Sequence, residues 1–227
     1  MTHSADIQDT PAPDSWAAPF DEAFQAAFAQ LVRLRRDIRA FRPDPVDPAV
    51  LRRCMELAHL APSVGYAQPW RFVQVTDRTR IEAVARSFER ANAEALAATD
   101  DDDRALYARL KLEGIREAPV QMAVFCDEAT TTGRRLGART MPETRAYSVV
   151  CAIHTLWLAL RAHGLGLGWV SILHPEDVAR ALDAPPEWRF IAWLCIGHPA
   201  VPPNETPELE RVGWEHRLPL EKVWTTL

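Results

Sequence analysis

Pro119 is followed by Val120-Gln121-Met122-Ala123-Val124-Phe125-Cys126, a run short and apolar enough to be a central strand. A chain that must cover such a strand needs other elements around it, and the rest of the sequence offers them. Apolar residues at Phe24, Ala27, Phe28, Leu31, Val32 and Leu34 keep helical spacing over residues 21–36. Pro43, Pro45 and Pro48 then break the chain, and Asp47 is a good N-cap for a helix over 48–60 with Pro48 in its first turn. Residues 70–75 alternate as a strand, and helices are expected over 79–98 and 104–117. The longest apolar helix is expected over 144–163, capped by Gly164, with strands over 167–173 and 190–196 and a short helix between them over 175–182. This order gives an α+β fold, an α/β sandwich in which a mixed central sheet of four or five strands is flanked by helices.

At 227 residues the chain can bury a sizeable core, and we expect a single domain over 20–227 behind a flexible tail at 1–19. That tail has Pro11, Pro13 and Pro19 but neither a basic n-region nor an apolar h-region, so it reads as neither signal nor anchor, and the protein as cytoplasmic. The apolar stretch 149–160 is too short for the roughly 20 residues of a bilayer span. Charged residues make up 25%, apolar residues 48%, and the net charge is −5, which gives no reason to expect nucleic acid. Cys54, Cys126, Cys151 and Cys195 are far apart in apolar contexts and read as buried reduced thiols. The histidines keep no metal-ligand spacing, and no metal is expected.

The local basic character of residues 35–42 therefore stands out. Arg35, Arg36, Arg39 and Arg42 surround one carboxylate, Asp37. Guanidiniums bind phosphate oxygens in pairs, so several of them at a helix start suit a phosphate monoester. Asp37 has two readings, an ordinary partner for nearby arginines or a carboxylate placed beside a bound ligand. Ala61-Pro62-Ser63-Val64-Gly65-Tyr66-Ala67-Gln68-Pro69-Trp70, between a helix and a strand, reads as a ligand-contacting loop, and 128–141 as a lid or connector. Gly164-Leu165-Gly166-Leu167-Gly168 is not a dinucleotide fingerprint, because a helix precedes it and a strand follows. Its glycines suit a helix cap and close approach of backbone to something flat.

Arg35-Arg36-Asp37-Ile38-Arg39, the block from Ala61-Pro62-Ser63 to Gln68-Pro69-Trp70, the glycine-rich turn into Trp169-Val170-Ser171, and Arg217 in the tail together resemble the FMN-dependent nitroreductase family in order and spacing. The resemblance implies a nitroreductase-like fold and an extensively intertwined homodimer with two flavin sites at its interface. It implies that Arg35, Arg36, Arg39 and Arg217 bind the FMN phosphate, and that Pro62, Ser63, Val64, Gly65, Gln68, Gly168, Trp169 and Val170 contact the flavin. Asp37 and Tyr66 stand where ordinary members carry Ser and Asn, and Thr140-Met141-Pro142-Glu143-Thr144 and Pro207-Glu208-Leu209-Glu210 agree with one branch. Members of that branch use dioxygen to cut reduced FMN into 5,6-dimethylbenzimidazole, the lower ligand of cobalamin, and erythrose 4-phosphate. Asp37 would then be the acid/base group and Ser171 a hydrogen-bond donor to the flavin, although Ser171 also suits a plain strand residue. A separate flavin reductase would supply reduced FMN. A second reading is an NAD(P)H-dependent nitro or quinone reductase that retains its flavin, in which 128–141 would leave the ring open, and a third is a noncatalytic flavin carrier that releases FMN unchanged.

Overall fold

The protein is described by a computed structural model covering residues 20–226. The tail expected at 1–19 lies outside the described residues. The described elements are α1 (Glu22–Leu34), α2 (Pro48–His59), β1 (Trp70–Val75), α3 (Arg78–Ala98), α4 (Asp101–Tyr107), β2 (Val120–Asp127), α5 (Thr144–Ala162), β3 (Gly166–Val170), α6 (Pro175–Ala181), β4 (Trp188–Gly197) and α7 (Glu208–Arg211). The class is α+β. The strand order is β1-β2-β4-β3, and all three ladders are antiparallel. The expected mixed sheet is thus corrected: the one parallel pairing among the described residues is an isolated bridge between Asp37 and Leu167.

β2 is buried along seven of its eight residues because the sheet is covered on both faces. Met122, Val124 and Cys126 pack with Cys54 and Ala58 of α2 and Val149, Ile153, Leu156 and Leu160 of α5. Ala123 and Phe125, one residue out of step, pack on the other face with Ile81, Val84 and Phe88 of α3 and Val178 of α6. Asp21, Asp47 and Asp77 cap α1, α2 and α3 by accepting hydrogen bonds from first-turn N–H groups. Gly164 (φ 75°) ends α5, and the following Leu165 N–H returns to Leu160 O at 2.9 Å.

Two expectations need correction. The helix expected over 104–117 stops at Tyr107, because the chain beyond it is held by a buried side chain: Gln121 Nε2 donates to Ala118 O at 3.0 Å and to Gly114 O at 3.4 Å. Gly114 itself lies against the Phe41 ring, where an added Cβ would be 2.6 Å from Cε2. Cys54, Cys126 and Cys195 are free and buried as expected, but Cys151 is exposed on the outer side of α5 beside Tyr147 and Val150. α1 has no buried residue, and its Phe24, Phe28 and Val32 are 44–50% exposed.

Candidate functional site

The arginine-rich segment is not helical. α1 ends at Leu34, and Arg35 takes extended angles (φ −68°, ψ 121°). Periodicity extended the helix to residue 36, but tertiary pairing decides otherwise. Ile38 N–H donates to Leu167 O at 3.0 Å and Arg42 N–H to His198 O at 2.9 Å, so the segment runs along the edge of β3. Gly168 permits this, since a Cβ there would lie 2.1 Å from Ile38 O. The flat object that the glycine-rich turn accommodates is the backbone of residues 37–39.

Asp37 is gripped from two sides. Its Oδ1 accepts the Trp169 N–H at 2.8 Å, and its Oδ2 is paired with Arg39, whose Nη1 donates to Trp169 O at 2.8 Å. Burial raises the carboxyl pKa above the usual Asp range, opposed by Arg39, by the Trp169 N–H and by Arg35. The side chain keeps 36% of its surface, so its desolvation is partial and a ligand can reach it.

Arg35 and Arg36 stand at the entrance to this segment. The Arg35 guanidinium sits 4.6 Å over the Trp157 ring of α5. Arg36 Nε donates to Asn204 O at 2.8 Å and Nη1 to Arg35 O at 2.6 Å. Its pKa is lowered by partial burial first and then by the charges of Arg35 and Arg217, against the opposing pull of Glu205 and Glu210. The C-terminal segment thus returns Arg217 to Arg36, from more than 170 residues away in the chain. Trp214, three residues earlier, rests edge-on against Tyr107 at 6.0 Å.

The loop at 61–70 is built separately. Val64 N–H donates to Ser148 Oγ of α5 at 3.0 Å, and Gln68 N–H to Ser63 Oγ at 3.1 Å. Gly65, Tyr66 and Gln68 all have positive φ (52°, 59° and 47°), and Tyr66 is 77% exposed. For the two non-glycine residues this conformation costs on the order of 1 kcal/mol each, strain that concentrates where loops meet ligands. The turn Thr132–Arg135 packs directly on it, leaving no space between Gly133 and the Gly65 carbonyl for a side chain. Ser171 follows β3 directly and is exposed, whereas Val170 is buried in the core. Lys111 pairs with Glu117, and Glu113 accepts the Ile115 N–H, so both are engaged within their own loop.

Ser148, which holds the loop, and Trp157, which holds the arginines, are nine residues apart on α5. That is two and a half turns, placing the two on opposite sides of the helix and about 14 Å apart along it. Both were missed in the sequence, where the 149–160 run read only as a buried helix. No motif distinguishes a tryptophan that packs from one that also carries an arginine.

The Nitroreductase family model matches residues 32–198, and the chain belongs to that family. It is 56% identical over 200 residues to a 5,6-dimethylbenzimidazole synthase of Rhodospirillum rubrum, covering 88% of this chain and 94% of that protein. It is 46% identical to a protein of the same name from Rhodobacter capsulatus, covering 89% and 97%. Among solved structures, oxidised iodotyrosine deiodinase bound to FMN and 3-iodo-L-tyrosine superposes with a TM-score of 0.67 at 26% identity, covering 79% of this chain and 94% of that one.

Proposed function

We propose that the chain is a 5,6-dimethylbenzimidazole synthase, fragmenting reduced FMN with dioxygen to 5,6-dimethylbenzimidazole and erythrose 4-phosphate. The observation that carries it is Asp37, a carboxylate with a raised pKa fixed by Trp169 and Arg39 beside a cluster of arginines. The two synthases at 56% and 46% identity supply the reaction class.

The residues fit a flavin phosphate. The charges of Arg35 and Arg217 lower the pKa of Arg36, and a phosphate would relieve that repulsion. Arg35, Arg36 and Arg217 would hold the phosphate end, whereas Arg39, expected beside them, is engaged by Asp37 and the Trp169 carbonyl. Pro62, Ser63, Val64, Gly65 and Gln68 would face the ring; Gly168, Trp169 and Val170 support the site only indirectly, since Gly168 backs the Ile38 carbonyl, the Trp169 backbone is engaged by Asp37 and Arg39, and Val170 is buried in the core. Reduced FMN, when bound, supplies the electrons that react with dioxygen. Asp37 would accept a proton from the ribityl side, and the burial that raises its pKa favours holding that proton until it is returned. Arg39 keeps the carboxylate aimed, and the exposed Ser171 hydroxyl donates a hydrogen bond to the ring end.

The loop and the arginines lie on opposite sides of α5, so one flavin touching both is best accommodated by a homodimer in which each copy lends its loop to the other's arginines. The exposed apolar faces of α1 (Phe24, Phe28, Val32) and α5 (Tyr147, Val150) suit such pairing. A separate flavin reductase would feed the site, and the setting would be cytoplasmic; no described helix is long and apolar enough to cross a membrane.

The test is anaerobic loading with reduced FMN, exposure to air and chromatography of the products. Formation of 5,6-dimethylbenzimidazole matching the loss of flavin is expected. Quantitative return of oxidised FMN would sink the proposal and favour a flavin-retaining NAD(P)H reductase. Asp37→Asn should bind FMN yet form no benzimidazole; normal yield in that variant would remove Asp37 from its role.

A further inference from the structure

Successive side chains of an extended segment point to opposite sides, so neighbouring Arg35 and Arg36 would naturally diverge. Two contacts from one residue of α5 oppose that divergence. The Trp157 ring lies 4.6 Å beneath the Arg35 guanidinium, and the Trp157 indole N–H donates to the Arg36 carbonyl at 3.2 Å. A guanidinium stacked on a ring keeps its in-plane N–H donors free for a ligand. Arg36 meanwhile curls back, with Nη1 on the Arg35 carbonyl, and the same narrow recess is lined by Trp157, Arg36, Ile38 and Arg161. Trp169, 6.5 Å from Trp157, performs the parallel task for Asp37 and Arg39 through its backbone N–H and C=O. Two tryptophans from different elements therefore divide the segment, Trp157 holding its cationic half and Trp169 its acidic half.

We infer that Trp157 is a positioning residue for phosphate recognition: its ring carries Arg35 and its N–H anchors Arg36, so that both guanidiniums serve one phosphate monoester. This rests on the proposal that Arg35, Arg36 and Arg217 receive the FMN phosphate. Leucine at this position would fill part of the volume but supply neither the ring face nor the donor. Phenylalanine would supply the face alone.

The test compares FMN with riboflavin, which has the same ring and ribityl chain but no phosphate. Both are titrated by flavin fluorescence against the full-length chain, and the ratio of the two dissociation constants reads the phosphate contribution. For Trp157→Leu the ratio should fall about tenfold, the scale of one charge-assisted hydrogen bond, while riboflavin affinity stays constant. Trp157→Phe should fall between that variant and the parent. It serves as the deciding variant if the leucine protein does not fold. A parental ratio in the folded Trp157 variants, with a reduced ratio in Arg36→Met, would overturn the role of Trp157 and leave the phosphate site standing. Equal loss of FMN and riboflavin affinity would also overturn it, because that is what a purely packing role produces. No preference for FMN over riboflavin in the parent chain, or a parental ratio in Arg36→Met, would overturn the phosphate site and this inference with it.

Discussion

Replacing Gly168 by alanine tests the close approach on which the whole segment depends. The new Cβ would lie 2.1 Å from Ile38 O, about 1 Å inside the closest tolerable contact. β3 is paired with β4 along its whole length and cannot yield, so residues 37–39 must move away. A retreat of that size stretches Ile38 N–H to Leu167 O from 3.0 Å beyond hydrogen-bonding range. It does the same to Trp169 N–H with Asp37 at 2.8 Å and Arg39 with Trp169 O at 2.8 Å. A neutral bond contributes about 1 kcal/mol net and a charged one about 1.5–3, so even at the low end the three together give a loss of roughly 4 kcal/mol. For a chain of this size that is a fall in Tm of about 8–16 °C. Thermal unfolding followed by circular dichroism measures it, with Gly164→Ala as the control. Gly164 has φ 75°, unlike Gly168, and nothing within 4 Å, so its substitution costs backbone strain alone, about 1 kcal/mol. FMN affinity should fall at least tenfold in Gly168→Ala, because Arg35 and Arg36 precede the displaced stretch. If Gly168→Ala melts like Gly164→Ala and binds FMN normally, the close packing of residues 37–39 on β3 is wrong.

Gln121 is 2% exposed and uses both ends of its amide, accepting from Trp193 Nε1 at 2.6 Å and donating to Ala118 O; Gln121→Leu should cost about 3 kcal/mol in denaturant unfolding by leaving these groups orphaned. The Asp37 carboxyl has a folded pKa above its unfolded value near 3.9, so its stabilising contribution is complete below that value and is lost as pH rises through the folded pKa. Asp37→Asn, which does not titrate, should therefore gain stability relative to the parent as pH rises from about 4 through the folded pKa in parallel melting curves, and a constant difference would refute the raised pKa. Burial pushes the Cys126 and Cys195 thiols up to about 12, and with Cys54 they are fully buried. An aqueous disulfide reagent at pH 8 should modify no more than one thiol, Cys151, in the native protein and all four after denaturation; rapid reaction of a second native thiol would contradict the core.

The elements that bury one regular face were legible in the sequence. β1, β2, α2 and α5 lie close to where alternation, proline and capping residues put them, because those signals act within a few residues. The antiparallel sheet was not legible, since strand direction is set by connections and not by any residue within a strand. Arg35, Arg36 and Asp37 announced themselves by composition, yet their extended conformation depends on Leu167, Gly168 and His198, which are far away in sequence. The contributions of Ser148, Gln121 and Trp157 were hidden for the same reason. Each looks like core until the partner it holds is known.

The opposed placement of the loop at 61–70 and the arginine segment on α5 carries a consequence for measurement. In the proposed homodimer the pocket is divided between two chains, which ties ligand affinity to self-association by mass action. Dilution then weakens flavin binding without any change in the contacts, and added flavin drives pairing by the same free energy. A dissociation constant for this protein would have meaning only with the chain concentration stated beside it.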